Sequence, residues 1–456
     1  SGSSTAIAPK REQGAESKGK GKEPESSGNW LQQVCPFCLG RCPLMTSEVA
    51  PCMPFDWWRR ASGRPALAGS EGSQNRSQDV CRRLKEALDS FSAMDDDGDG
   101  SRQSSSSPSE TALKRLSQDV KKQLQVMLEV LLEVERTNQH AGEMQNVPLV
   151  KSWLNQFFAT DLPKLLVTHL GQLEFEVRND VVTVFSAVVR LGSGLSDEDP
   201  LQQYGHANPQ FFALLVDGYE KHEIATHCGM MLRSCARQEK LVKAFLSQMQ
   251  VVLKLVQFTR HEVFDISTDA FSSLHDFLLN HQDTSAEFLQ ANFREFFTSY
   301  NSLLQEGDYV TKRQALKLLS DLLLGRKFMR IMMLYIGDDS YLQIHMNLLR
   351  DDSKTIQLEA FHIFKIFVAN PNRPPRVHTI LYKNKERLIS LLHELTPHRP
   401  EDKQFLEDMK TVLNKLEAME PPPRPERTAA AGYPGAPGAP AAEANHPPGD
   451  RGDPAG

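Results

Sequence analysis

Between about residue 112 and residue 417, Leu, Val, Phe and Met recur at helical spacing, and no run alternates as a half-buried strand does. The segments stop at Gly, Pro or Asn-Pro breaks, such as "VANPNRPP" (368–375). One stretch, "DYVTKRQALKLLSDLLL" (308–324), reads as a single amphipathic helix, and its pattern returns along the chain. Position zero is a small residue, followed by apolar residues at +1, +4, +7 and +8. Ala270 leads Phe271, Leu274, Phe277 and Leu278; Ala315 leads Leu316, Leu319, Leu322 and Leu323; Ala360 leads Phe361, Phe364, Phe367 and Val368. Looser copies start at Cys228 (Gly229, Leu232, Cys235, Ala236) and at Val181 (Val182, Phe185, Val188, Val189). The three close copies are 45 residues apart, and the looser ones are spaced 42 and 47 residues. Periods near 40–47 belong to HEAT and armadillo arrays, in which each repeat buries its apolar face only by stacking on its neighbours. The pattern therefore predicts an all-α, HEAT/armadillo-like, right-handed solenoid with a curved, concave face.

The polar positions add a second reading. At 100° per residue, Arg313 and Lys317 lie almost opposite the core stripe of their helix, and Tyr309 lies on its flank. Equivalent positions elsewhere hold Thr226 and Met230, Thr268 and Ser272, or Leu358 and His362, so the basic pair belongs to one repeat. Position −6 holds Tyr309 in that repeat and Phe264 in the one before. Two aromatics at one repeat position either line a common face for a partner or pack between repeats; spacing alone does not choose.

Outside this region the composition changes. Residues 1–77 read as a largely disordered extension, polar and lysine-rich at the start, and 418–456 as a disordered Pro/Ala/Gly-rich tail, leaving 78–417 as the scaffold domain. "DDDGDGSRQSSSSPSE" (95–110) reads as a mobile loop within it. The formal charge of −6 gives no reason to expect nucleic acid or an anionic membrane as partner. No apolar run approaches the ~18 residues of a membrane span, and the first residues lack a signal-peptide layout. Seven cysteines, an odd number, do not suggest a disulfide framework in so long a chain. A cytoplasmic protein is the expectation.

Motifs for chemistry fail one by one. "HEIATH" (222–227) places its histidines five apart rather than the four a zinc helix needs, so they read as ordinary helix surface. Asp95, Asp97, Asp99 and Gly100 fit the start of an EF-hand loop, but its twelfth position is Ser106 instead of Glu. Cys35, Cys38 and Cys42 form a C-x-x-C with one nearby Cys, and no second ligand pair follows at finger spacing. No phosphate-cradling glycine motif occurs. Neither a metal, a cofactor nor an enzymatic activity is expected. Arg451-Gly452-Asp453 lies in the tail, where an intracellular chain gives it no adhesion role.

"EIATHCGMMLRSCARQE" (223–239), "FDISTDAFSSLHDFLLNHQ" (264–282), "YVTKRQALKLLSDLLL" (309–324) and "MNLLRDDSKTIQLEAFHIFKIFVANPN" (346–372) resemble the mouse-protein-25 family, also called calcium-binding protein 39. "MPF" at Met53 resembles the family's usual start, and residues 1–52 have no counterpart there. The resemblance implies a non-catalytic scaffold, monomeric before complex formation. It would bind and activate protein kinases of the germinal-centre group and pseudokinases, as in the assembly that activates liver kinase B, in signalling for cell polarity or cytokinesis. It further implies that a partner's C-terminal Trp-Glu-Phe peptide docks near the last repeats, with the basic docking residues on Arg313 and Lys317 and the pocket methionine on Met346. The concave-face aromatics fall on Phe264 and Tyr309. No calcium motif accompanies the family's name. The plainer alternative is a generic armadillo-type adaptor for other peptides, without any effect on kinases.

Overall fold

The computed structural model describes residues 70–96, 110–141, 146–193, 195, 200–396 and 401–422. Residues 1–69 of the extension read as 1–77, the Cys35, Cys38 and Cys42 cluster among them, most of the 95–110 segment and the tail from 423 lie outside the described residues; residues 70–77, read as part of that extension, are helical instead.

Two long helices, α1 (Ser70–Asp96) and α2 (Glu110–Ala141), open the array, and no strand occurs among the described residues. Then comes a recurring set of three: α3 (Val147–Ala159), α4 (Leu162–Thr168) and α5 (Phe175–Ser193); α6 (Pro200–Ala207), α7 (Gln210–Asp217) and α8 (His222–Cys235); α9 (Glu239–Leu246), α10 (Met249–Phe258) and α11 (Phe264–Leu279); α12 (Gln282–Ala291), α13 (Phe293–Glu306) and α14 (Tyr309–Leu324); α15 (Met329–Tyr335), α16 (Asp339–Leu348) and α17 (Lys354–Ala369). Helices α18 (Pro375–Leu395) and α19 (Lys403–Glu417) close it. Like packs on like. The third helices form one row, α2, α5, α8, α11, α14, α17 and α19, each against the next; α4, α7, α10, α13, α16 and α18 form a second. This is an all-α, armadillo-like solenoid.

The repeat explains the row. Val181, Cys228, Ala270, Ala315 and Ala360 are all buried, and so are the four positions that follow each of them in the pattern. A small residue at position zero lets adjacent third helices approach closely, while Leu and Phe at +4 and +7 fill the space behind. Full burial of each such side chain contributes roughly 1.5–3 kcal/mol, and one continuous hydrophobic cluster runs from Val80 to Met419.

Polar seams fix the register between rungs. Arg233 on α8 pairs with Asp269 on α11 at 2.8 Å, and Asp269 also accepts from Tyr219 Oη at 2.7 Å. Gly229 makes room for this cluster, since a Cβ there would lie 1.7 Å from Asp269 Oδ1. At the far end Lys365 on α17 donates to Asp408 on α19 at 2.5 Å, with both side chains almost wholly buried.

His227 departs from the surface role read for it. It is 4% exposed, its ring edge to face with that of Phe175 at a centroid distance of 5.7 Å. Burial, with Arg178 nearby, lowers its pKa. Five residues of helix turn it well away from His222, which is exposed.

Candidate functional site: an exposed stripe and a separate groove

Helix α14 begins where the sequence tells it to. Gly307 turns the chain out of α13, and a Cβ there would lie 2.3 Å from the Leu303 carbonyl oxygen. Asp308 then caps the helix, its carboxylate accepting from the Thr311 amide at 2.7 Å. That hydrogen bond lowers the Asp308 pKa, so the cap is charged at neutral pH. Tyr309 is consequently the first helical residue, 47% exposed. Arg313 and Lys317 follow one and two turns on, also exposed, with no hydrogen bond or ion pair to another described residue.

Phe264 holds the same first position on α11, the preceding rung of the third row, and is 59% exposed. Neither ring is buried between repeats: each leaves about half or more of its surface open. Phe175 starts α5 in the same way and is 65% exposed, and Met230 on α8 is 44% exposed. Phe175 was missed in the sequence, although it stands six residues before Val181, the same offset that singled out Phe264 and Tyr309. The third-row face thus presents aromatic residues at the entrances of three rungs, with two unpaired cations on one of them.

Met346 lies elsewhere. It is half-buried on α16 and lines a groove of about 670 Å3 between α16 and α18. Ile380, Leu388 and Leu391 give that groove an apolar floor with Met346; Arg350, Arg387 and Glu394 supply its charges. The Arg350 and Arg387 side chains are exposed and form no hydrogen bond or ion pair with another described residue. Neither Arg313 nor Lys317 lines this groove. The structure therefore brings Phe264, Tyr309, Arg313 and Lys317 together on the third row and sets Met346 apart on the second. Arg350 was legible as the residue one helical turn beyond Met346; Arg387 carried no sequence signal, because a different helix delivers it.

The model of the Mo25-like family matches residues 67–420, the whole of the helical array. The chain belongs to the Mo25-like family. It is 41% identical over 273 residues to the Mo25-like protein of Schizosaccharomyces pombe, covering 59% of this chain and 82% of that one. It is 36% identical over 308 residues to the human calcium-binding protein 39-like protein, covering 67% and 88%. The degreening-related dee76 protein of Auxenochlorella protothecoides is 36% identical over 313 residues, covering 68% and 94%. Among solved structures, a designed armadillo repeat protein aligns with 56% of this chain and 99% of its own at 12% identity, with a TM-score of 0.34. As a Mo25-like protein the chain is a scaffold of helical repeats.

Proposed function

We propose that this Mo25-like chain is a non-catalytic cytoplasmic scaffold that binds protein kinases and pseudokinases of the germinal-centre group and holds them in an active conformation. The observation that supports this most directly is the third-row stripe. The rings of Phe264 and Tyr309 stand exposed, and Arg313 and Lys317 carry no ion pair with another described residue; aromatic residues and Arg are the residue types enriched at interface hot spots. In this reading the third row is the concave face. Phe264, Tyr309, Arg313 and Lys317 meet the folded body of the kinase. Preferential binding of its active conformer shifts the population toward that state. The groove at Met346 takes the partner's acidic, aromatic C-terminal tail, of Trp-Glu-Phe type: the aromatics rest on Met346, Ile380 and Leu388, and Arg350 and Arg387 pair with the carboxylates. The scaffold is a monomer until it meets the kinase; nucleic acid and membrane play no part.

The test separates the two surfaces. Kinase activity with added scaffold is measured alongside titration of a peptide ending in Trp-Glu-Phe. Tyr309→Ala and Arg313→Ala should abolish most of the activation and leave peptide affinity unchanged; Met346→Ala should weaken the peptide. Because both third-row side chains point away from the core, their removal should change stability by no more than about 0.5 kcal/mol. Kinase activity that does not respond to wild-type scaffold, while the peptide still binds, would establish a generic peptide adaptor instead.

A further inference from the structure

The groove at Met346 carries charges of both signs. Arg350, Arg387 and Glu394 are exposed along it, and Glu394, like the two arginines, has no hydrogen bond or ion pair with another described residue. A ligand that satisfies the groove presents apolar bulk to Met346, Ile380 and Leu388, an acid to the arginines and a base to Glu394. Arg387 and Glu394 stand seven residues apart on α18, about 10 Å along the helix at about 1.5 Å per residue. In an extended chain, at about 3.3 Å per residue, that is the distance between residues i and i+3. The groove thus fits an acid followed three positions later by a base, with bulky apolar residues around them.

The chain itself carries such a sequence. In "MPFDWWRR" (53–60), Asp56 is followed three positions later by Arg59, with Phe55, Trp57 and Trp58 around it. Asp56 is the only acidic residue in the chain with a Phe, Tyr or Trp on each side. Three of the four tryptophans, Trp30, Trp57 and Trp58, precede the helical array, and the fourth, Trp153, is buried within it. Tryptophan has a large apolar surface to gain from burial, and it is among the residues enriched at interface hot spots. Residues 53–60 lie outside the described residues.

Length decides whose groove the segment can fill. Helix α1 heads the second row, against α4, and five steps, through α4, α7, α10 and α13, separate it from α16. At about 8–10 Å per step that is about 40–50 Å. Asp56 stands fourteen residues before Ser70, where α1 begins. A chain of that length spans about 46–50 Å only at full stretch, against a coil average of about 20 Å. Its own groove is therefore at the very limit of reach, whereas the groove of a second copy is under no such limit. Two copies side by side and antiparallel bring each segment to the other's groove, and that reciprocity closes the pair as a two-fold dimer.

We propose that the Met346 groove also takes residues 55–60 of a second copy of this chain. Phe55 and Trp57 rest on the apolar floor, Asp56 pairs with Arg387 and Arg350, and Arg59 pairs with Glu394. The proposal rests on the reading of this groove as a site for acidic, aromatic segments. Pairing needs concentrated scaffold; the dilute chain is still the monomer that meets the kinase, and a kinase tail in the groove excludes the second copy.

The capped peptide of residues 53–60 is titrated into the full chain carrying Trp57→Ala/Trp58→Ala, whose own segment no longer competes. It should bind, and a peptide ending in Trp-Glu-Phe should displace it. Met346→Ala and Arg387→Glu should each weaken it about tenfold or more. An Asp56→Arg peptide should lose binding to the parent and regain it on Arg387→Glu. In sedimentation, the wild-type mass should rise with concentration toward that of two chains, and the Trp57→Ala/Trp58→Ala chain should stay a monomer. If the Trp-Glu-Phe peptide binds and the 53–60 peptide does not, or if the latter ignores both groove substitutions, the proposal fails and the groove reading stands. If neither peptide binds, the groove reading fails and takes the proposal with it. A wild-type chain that stays monomeric at every concentration while the free peptide binds would overturn the second copy as the source.

Discussion

Replacing Gly229 with alanine sets two effects of opposite sign against each other. In an exposed helix interior the change stabilises by about 1 kcal/mol, because alanine loses less backbone freedom on folding. On α8 the new methyl meets an occupied space, 1.7 Å from Asp269 Oδ1 and 2.6 Å from Tyr219 Oη. The carboxylate must move, and it is held by Tyr219 at 2.7 Å and by Arg233 at 2.8 Å, with the Arg233 and Asp269 side chains only 22% and 14% exposed. Breaking a buried pair outright costs about 3–5 kcal/mol; displacing one member with partial relaxation should cost roughly 2–4 kcal/mol. The seam outweighs propensity, and Gly229→Ala should destabilise by about 1–3 kcal/mol. Hydrogen exchange is the suitable assay, since a repeat array can open rung by rung: protection should fall in α8 and α11 and stay unchanged in α17 and α19. The same substitution in an Asp269→Ala/Tyr219→Phe background, where the obstructing oxygens are gone, should be neutral or stabilising. A wild-type-background variant that is more stable than the parent would refute the reasoning.

His345 on α16 is fully buried, with Nε2 3.0 Å from Tyr335 Oη, and burial pushes its pKa down from 6.5 to about 3. The folded state thus favours the neutral ring. The resulting stability is complete above pH 6.5 and is lost as pH falls toward 3, by up to ~1.4 kcal/mol per pH unit. Denaturation between pH 7 and 4 should show that slope, and His345→Gln should flatten it; parallel curves for the two proteins would contradict the assignment. At the C-terminal seam, Lys365→Met should cost about 3–5 kcal/mol by stranding Asp408, and Lys365→Met/Asp408→Leu should recover most of the loss in a thermal melt. A double variant as unstable as the single one would show that packing, rather than the stranded charge, sets the cost.

The 45-residue recurrence carried the fold almost alone, because in a stacked array the same five positions of every third helix meet the same environment. The exposed stripe was legible for the same reason: the angle that buried Ala315 and Leu319 put Arg313 and Lys317 on the opposite side. What periodicity did not reveal was the association between rows. Nothing in a one-dimensional pattern says that Met346 faces α18 rather than α14, so its separation from Arg313 and Lys317 had to come from coordinates. Nor did spacing reveal that His227 is buried, since the ring that covers it, Phe175, belongs to the preceding rung.

The separation of the third-row stripe from the second-row groove has a mechanical consequence. A partner that uses both is tied down twice by one chain, and its second attachment becomes an intramolecular event. The span between faces of adjacent helix layers is roughly two helix diameters, about 20 Å, which an extended tether of six or more residues can reach. A shorter tether allows only one attachment at a time; a much longer one dilutes the effective concentration roughly as the −3/2 power of its length. Between those limits avidity exceeds either single affinity by about 10²–10⁴ without any new contact. Tether length is then a selector in its own right, able to separate partners whose two contact surfaces are identical.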